Sequence, residues 1–351
     1  LFGLGRSQAT ALPRYQIDQA VASFNRAFDY YAEVGDVPRV VAVAEYPLPT
    51  FAGQPIGVAE LIARALELVQ PDSSEAGRLL SEYARILAIE EGNYEDAQSA
   101  FSQALVIAQR EQDAHLEMRT LSHAAYIDCW YLRWPEAISS ISQAIELSGQ
   151  AGDLRVEAQI RSIAGLMWGG VGDSKGAHDH AEDALAVAER LRDRTWLIFV
   201  LWGKETLCRL QGDWQAAREF SDRGLAIAPQ EPRILGFRTL LEYEVGDFVA
   251  GESYLKTLME AMRLSSPGPT VEYQFPVIAI PMVSRITGVS KRLEDARSAA
   301  EAVLSYEYVL PLSAQMASAG LALLAVELRD IETATQQYSV LQTSRGTMIL
   351  S

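Results

Sequence analysis

Apolar residues in this chain recur every three or four positions, as they do on one face of an α-helix. Each such stretch ends in a short turn, after which a second stretch with the same spacing begins. The turns share a glycine followed by aspartate or asparagine: Gly35-Asp36, Gly92-Asn93, Gly172-Asp173, Gly212-Asp213 and Gly246-Asp247. Glycine ends a helix in the left-handed conformation, and the Asp or Asn side chain caps the helix that follows. The pattern therefore predicts a series of helical hairpins.

Aromatic and small residues recur at fixed distances after these turns. The aromatic residues, which we expect to wedge between the two helices of a hairpin, are Tyr94, Trp134, Trp214 and Phe248. The small residues stand forty apart in two sets, Ala97, Ala137, Ala177 and Ala217, then Ala104, Ala144, Ala184 and Gly224 seven residues later. A fixed period of this size is typical of an all-α solenoid, in which each unit buries its apolar face against its neighbours.

Two irregular stretches divide the predicted array of about eight hairpins into three parts of one continuous superhelix. The parts are 1–71 with irregular repeats, 72–264 with five regular hairpins, and 265–351 with two weaker hairpins at 270–304 and 310–341. In the last part Pro276 and Pro281 are expected to kink or delay the helix that holds them.

The first part contains a predicted hairpin from 16 to 45, a break that begins at Tyr46, and an unpaired helix from 56 to 69. Whether the joints near Tyr46 and Pro267 are hinges is left open. The chain begins with Leu1, and its last segment, 343–351, has neither a helix cap nor a polar tail. Because solenoids need polar terminal units, we expect this chain to be a piece of a longer protein.

The spacing of the small residues resembles that of the tetratricopeptide repeat. Two units match positions that are characteristic of this repeat. The matching residues are Gly165, Gly172, Ala177 and Ala184 in one unit, and Gly212, Trp214, Ala217, Gly224 and Pro229 in the next. The period here is forty residues instead of thirty-four, so the helices are longer by about one turn in all. The resemblance implies a right-handed superhelical solenoid.

A forty-residue version of the repeat resembles the helical region of large bacterial signalling ATPases of the MalT and LuxR-regulator (STAND) type. It is also similar to repeats in bacterial proteins that join a nucleotide cyclase to an ATPase. The segments that carry this resemblance are 217–225 and Arg345-Gly346-Thr347-Met348. The resemblance implies a place in signal transduction or transcription regulation.

Composition narrows the choice of partner and compartment. Forty-six acidic residues against thirty Lys and Arg give a net charge of −16, which repels a nucleic-acid backbone. The two cysteines, Cys129 and Cys208, lie two repeats apart, beyond disulfide reach, and indicate reduced thiols in a cytoplasmic protein. No apolar run was expected to approach the length of a membrane span, so we predict no membrane contact.

Candidate chemistry is sparse. The stretch 169–176 is rich in glycine and holds Lys175, but its order is not that of a phosphate-binding loop. On a helix, His178 and Glu182 share a face while His180 points away, so no metal site is predicted. No G-x-S-x-G motif is present. We therefore predict a protein without catalytic activity, metal or cofactor; a helical toroid acting on glycosides is the least favoured alternative.

The resemblance implies a concave surface lined by the first helix of each hairpin. The residues placed there are Arg119, Ser122, Tyr126, Trp130, Gln159, Ser162, Leu166, Phe199, Trp202, Thr206, Arg209, Arg233 and Tyr243. Aromatic and arginine side chains dominate binding hot spots. The aromatic members are left open between groove and inter-repeat core, whereas the three arginines predict a basic stripe that suits an acidic peptide or an anionic small molecule.

The sequence thus predicts a domain for protein–protein interaction and signal sensing within a larger bacterial regulator. Its expected partner is a protein, a peptide or a neighbouring domain of the same chain. The alternative is a sensor of a small effector, sugar-like or anionic, on which the tryptophans stack.

Overall fold

A computed structural model describes residues 1–12, 16–48, 55–151 and 153–342. Within these ranges the regular structure consists of eighteen α-helices and no strand. The chain divides into two compact units, residues 1–128 with 135–156 (unit 1) and residues 129–134 with 157–351 (unit 2). Each unit is described by itself below, and a helix is assigned to the unit that holds most of its residues.

Unit 1 contains the first eight helices. These are α1 (Phe2–Ala11), α2 (Ile17–Glu33), α3 (Val37–Ala44), α4 (Val58–Leu66), α5 (Ser74–Glu90), α6 (Tyr94–Glu111), α7 (Ala114–Trp130) and α8 (Trp134–Ala151).

Unit 2 contains the remaining ten helices. These are α9 (Leu154–Gly170), α10 (Ser174–Leu191), α11 (Arg194–Gln211), α12 (Trp214–Ile227), α13 (Pro232–Glu244), α14 (Phe248–Leu264), α15 (Val271–Thr287), α16 (Leu293–Leu304), α17 (Pro311–Leu328) and α18 (Ile331–Leu341). In both units together the described residues form eight hairpins, with α1 and α4 outside them.

The glycine turns have the predicted conformation. The five turn glycines have φ between +68° and +87°, the left-handed region that a residue with a Cβ rarely enters. In each turn the next side chain accepts a hydrogen bond from the backbone N–H three residues on, at 2.9–3.3 Å. One helix therefore ends and the next begins within two residues, as the sequence predicts.

The forty-residue period is also confirmed. The second helices of four successive hairpins begin at Tyr94, Trp134, Ser174 and Trp214, forty residues apart. The four alanines three residues into these helices, at 97, 137, 177 and 217, are fully buried. Since a methyl group is the largest side chain that such close helices accept, the small residues fix where the helices meet. The predicted fold class, an all-α solenoid of helical hairpins, is confirmed.

Several details of the sequence prediction are wrong. The helix α1 lies where the sequence predicts none, whereas α4 has no hairpin partner, as predicted, and packs against α3 and α5. The helix α15 begins at Val271 and continues past Pro276 and Pro281, so these prolines do not delay it. Trp214 and Phe248 do not wedge between helices, because 40% and 49% of their surfaces are exposed. The expectations for 343–351 lie outside the described residues.

The helix α17 corrects the expectation that no apolar run reaches the length of a membrane span. Its eighteen residues have a mean hydropathy of 1.3, enough to cross a membrane by length and composition alone. In unit 2 this helix packs against α15, α16 and α18. A core helix that is covered by its neighbours can be as long and as apolar as a membrane span, so the hydropathy of α17 is weak support for a membrane role.

In unit 2 the first helices of the hairpins pack side by side in the order α11, α13, α15, α17. Two glycines allow the closest approaches. A Cβ at Gly236 would lie 2.6 Å from the ring of Phe275, and a Cβ at Gly320 would lie 2.1 Å from a methyl of Val277 and 2.6 Å from its carbonyl oxygen. The α15–α17 contact therefore requires glycine at 320.

We predict that Gly320→Ala lowers the free energy of unfolding by about 2 kcal/mol, because the added methyl overpacks the α15–α17 contact. The matched substitution Gly203→Ala lies within α11, where a Cβ would meet nothing within 4 Å. It should raise stability by about 0.5–1 kcal/mol through helix propensity. Urea titration followed by circular dichroism measures both changes, and equal effects would contradict the packing described.

Candidate functional site: the inner helices

The thirteen residues predicted to face a groove all lie on first helices of hairpins. Arg119, Ser122 and Tyr126 lie on α7 in unit 1. The others lie in unit 2, on the end of α7 and on α9, α11 and α13: Trp130, Gln159, Ser162, Leu166, Phe199, Trp202, Thr206, Arg209, Arg233 and Tyr243.

Five aromatic side chains of unit 2 form a continuous series of ring contacts, which we call the aromatic row. Trp196, Phe199 and Trp202 follow one another along α11, with ring centroids 5.9 and 5.4 Å apart. Trp202 lies parallel to Phe237 of α13 at 6.3 Å, and Phe237 meets Phe275 of α15 edge to face at 5.4 Å. Aromatic contacts of this kind add stability beyond the area that they bury.

Only one end of the aromatic row is accessible. Phe237 and Phe275 are buried, whereas Trp196, Phe199 and Trp202 are half-buried. The indole Nε1 of Trp202 has no hydrogen-bond partner among the described residues. The rings on α13 and α15 therefore belong to the hydrophobic core, whereas those on α11 form a partly exposed aromatic surface.

Two predicted arginines lie against this row. The guanidinium of Arg233 lies 5.7 Å from the ring centre of Phe199 and 5.6 Å from that of Trp202, and its Nε donates to Glu231 at 2.6 Å. Such cation–π contacts attract the guanidinium to the faces of the rings.

Arg209 makes a similar pair of contacts deeper in the unit. It lies 5.2 Å from the ring centre of Phe237, and its Nη1 donates to Glu244 at 2.8 Å. Arg209 and Arg233 are therefore each balanced by a glutamate. These two arginines therefore give the surface of unit 2 less positive charge than the sequence alone suggests.

Other predicted residues of unit 2 serve packing. The hydroxyls of Ser162 and Thr206 are buried and donate to carbonyls of their own helices, at 2.6 and 2.9 Å. Together with Leu166 and Phe199 they line a cavity of only about 20 Å³, which is room for one water molecule. Gln159 is buried as well. This cavity is too small for a sugar-like effector.

In unit 1 the inner helices α5 and α7 enclose a buried polar cluster. Glu82 pairs with Arg85, whose Nε lies 3.3 Å from a carboxylate oxygen. The His123 Nδ1 lies 3.2 Å from the Ser81 hydroxyl, and its Nε2 lies 3.9 Å from Glu82. Ser81, His123 and Glu82 have the residue types of a nucleophilic triad. However, they are 0%, 5% and 6% exposed, so a substrate has no access to them.

The charges in this cluster shift the pKa values of its members. Burial lowers the pKa of His123 to about 3, and the neighbouring cations Arg85 and Arg119 act in the same direction. Burial opposes ionisation of Glu82, but the charge and the hydrogen bond of Arg85 outweigh it and lower the pKa of that carboxyl to about 2. At neutral pH the cluster therefore holds an ionised Glu82 beside a neutral His123.

The remaining predicted residues of unit 1 lie on the same helix, α7, as His123. Arg119 donates to the carbonyl oxygen of Arg78 at 3.0 Å, and burial lowers its pKa. Ser122 is fully buried and Tyr126 is half-buried. Elsewhere in the chain, His178 and Glu182 lie 3.5 Å apart, as expected, while His180 contacts the ring of Trp168. No group of three metal-ligating side chains occurs within the described residues.

Comparison with known proteins places few limits on function. No protein-family model matches this chain, and no curated protein sequence matches it. Among solved structures, PilF of Pseudomonas aeruginosa is 17% identical with a TM-score of 0.45, covering 68% of this chain and 93% of its own. The type IV pilus biogenesis factor PilW is 14% identical with a TM-score of 0.47, covering 74% of this chain and 97% of its own.

Yeast Tom70 is also similar, at 14% identity and a TM-score of 0.43, covering 90% of this chain and 83% of its own. With TM-scores below 0.5, the fold class rests on the helices and turns of this chain themselves.

We predict that acid destabilises the protein through His123. Its pKa in the folded state, about 3, lies below the ordinary value of 6.5, so its contribution is full above pH 6.5 and is lost as the pH falls towards 3. Between pH 7 and pH 4 the loss should be about 3 kcal/mol. Glu82 adds to the loss below pH 4.5, whereas burial raises the pKa of Glu90 to about 8. Protonation of Glu90 therefore stabilises the folded state by a similar amount, about 3 kcal/mol, over the same interval, so the contribution of His123 is measured by comparing a His123 variant with the wild type.

Urea titrations at pH 7 and pH 4 measure this loss. In His123→Gln the free energy of unfolding at pH 4, relative to that at pH 7, should rise by most of that amount compared with the wild type. An unchanged difference in His123→Gln would show that the buried imidazole does not control acid unfolding.

Proposed function

We propose that this chain is a non-catalytic helical-repeat protein that binds a protein partner through the open end of the aromatic row. The observation that carries the proposal is the joint surface of Trp196, Phe199 and Trp202 with the guanidinium of Arg233. Tryptophan and arginine are the residue types that contribute most to protein interfaces.

The arrangement of this surface favours a rigid contact. Arg233 is held by both rings and by Glu231, so little side-chain freedom remains to be lost when a partner binds. Because the guanidinium charge is balanced, we expect the partner segment to offer an apolar side chain to the rings instead of a cluster of acids. This expectation replaces the acidic partner that the sequence suggests with an apolar one.

The proposal also includes a place in a larger bacterial regulator of the cytoplasm, in which the repeats pass a signal to an ATPase. Its support is the resemblance of the forty-residue pattern to the repeats of MalT and LuxR-type ATPases. The reading frame around this segment tests it. A phosphate-binding loop upstream, with a helix-turn-helix or a cyclase downstream, would support the regulator, and start and stop codons at the present ends would contradict it.

We predict that Trp202→Ala weakens partner binding at least about tenfold, because a central aromatic side chain is lost from the contact. Peptides selected from a random phage-displayed library against the whole chain supply the probe, and fluorescence anisotropy measures their affinity. The matched control is Trp214→Ala on α12, whose indole is exposed and outside the aromatic row.

Two further measurements separate binding from folding. Trp202→Phe keeps an aromatic ring against Phe237 and should give an intermediate loss, and circular dichroism reports the melting temperature of each variant. Equal affinities of the two alanine variants for the selected peptides would place the interface elsewhere.

A further inference from the structure

A second concave feature of unit 2 lies between α13, α14 and α15 and has a volume of about 420 Å³. Its floor is apolar and buried, and its rim is apolar and exposed. The floor consists of Leu255, Ile280 and Val283, and the rim of Phe248, Ile286 and Val289. Small-molecule sites in proteins have volumes of about 300–1,000 Å³ with mostly apolar walls, so this cleft has the dimensions of a ligand site.

The polar side chains of the cleft bond mainly to one another. Arg292 donates twice to the carboxylate of Glu252, at 2.9 and 2.5 Å, and the Tyr243 hydroxyl donates to the same carboxylate at 3.2 Å. Thr287 donates to the carbonyl oxygen of Val283 at 2.7 Å. A peptide in this cleft would bury backbone N–H and C=O groups against partners that are already occupied, which is unfavourable.

One charge in the lining is unbalanced. Glu252 and Arg292 neutralise each other, whereas Lys291 is exposed and makes no ion pair or hydrogen bond with the described residues. The cleft therefore carries one net positive charge at the edge of an apolar floor, in a chain whose net charge is −16. A ligand that fits this cleft therefore has an anionic group and an apolar chain without peptide N–H and C=O groups, which would need hydrogen-bond partners.

We propose that this cleft binds a medium-chain aliphatic carboxylate. The acyl chain lies along Leu255, Ile280 and Val283, and the carboxylate accepts a hydrogen bond from the Lys291 ammonium. Phe248 and Val289 cover the chain at the rim. Burial of the chain supplies most of the affinity, and the charge-assisted hydrogen bond at Lys291 selects a carboxylate over a neutral head group. The site is separate from the aromatic row, so it does not depend on the function proposed for that surface.

Calorimetric titration of the whole chain tests the proposal with three probes, decanoate, decanol and acetate, each below its aggregation limit. We expect decanoate to bind one equivalent with a negative heat-capacity change, decanol to bind about tenfold more weakly, and acetate not to bind. The tenfold difference corresponds to one charge-assisted hydrogen bond. Absence of decanoate binding, or equal affinity for decanol, would overturn the proposal.

Three variants locate the site. Lys291→Gln should weaken decanoate binding about tenfold and leave decanol unchanged, since it removes only the charged donor. The control Lys256→Gln removes another exposed lysine of unit 2, on α14 but outside the cleft lining, and should leave decanoate affinity unchanged. Ile286→Trp fills the cleft from its rim and should abolish binding of both probes.

Circular dichroism shows whether each variant is folded. If Ile286→Trp does not fold, Lys291→Gln, which changes only a surface side chain, tests the location of the site by itself. If decanoate bound Lys291→Gln and Lys256→Gln with equal affinity, the carboxylate would be held elsewhere and the assignment would be wrong.

Discussion

The hairpins of this chain depend on one local conformation, a residue in the left-handed region followed by a side chain that caps the next helix. The first N–H groups of a helix have no partner within the helix, and the caps at Asp173, Asp213 and Asp247 satisfy one of them in each turn. Because the turn fixes where the second helix begins, it also fixes where the small residues of that helix meet the first. The same conformation occurs without glycine at Leu132 and Arg329, with φ of +60° and +57°.

Local rules of this kind explain how much of the fold the sequence predicts. Five of the eight hairpins, and the starts of their second helices, follow from a glycine and a capping Asp or Asn that act over four positions. The helix α1 has no such turn signal and forms where Gly5 packs on the ring of Phe24, a contact that depends on the tertiary structure. The sequence holds a second periodic signal for helix starts. Aspartates forty residues apart, at 113, 153 and 193, cap the first helices of three successive hairpins.

The candidate site was less predictable, because it depends on which side chains meet across hairpins. Phe199, Phe237 and Phe275 stand thirty-eight residues apart, so a search for aromatic periodicity would have found the row that they form with the tryptophans. No sequence pattern indicates that Arg209 pairs with Glu244, thirty-five residues away. The pairing decides whether an arginine attracts an anion or supports an aromatic ring, so the charge of the surface could be judged only from the packed structure.

The ion pairs between hairpins have a consequence for assembly of the array. Repeats of similar shape risk joining in the wrong order during folding, a common failure of repeat proteins. Arg209 is buried beside Glu244 of the following hairpin, and Arg292 is bound to Glu252 of the preceding one. A hairpin that docked on the wrong neighbour would leave Arg209 buried without its carboxylate, at a cost of about 3–5 kcal/mol. These ion pairs therefore favour the native order of the hairpins over other orders.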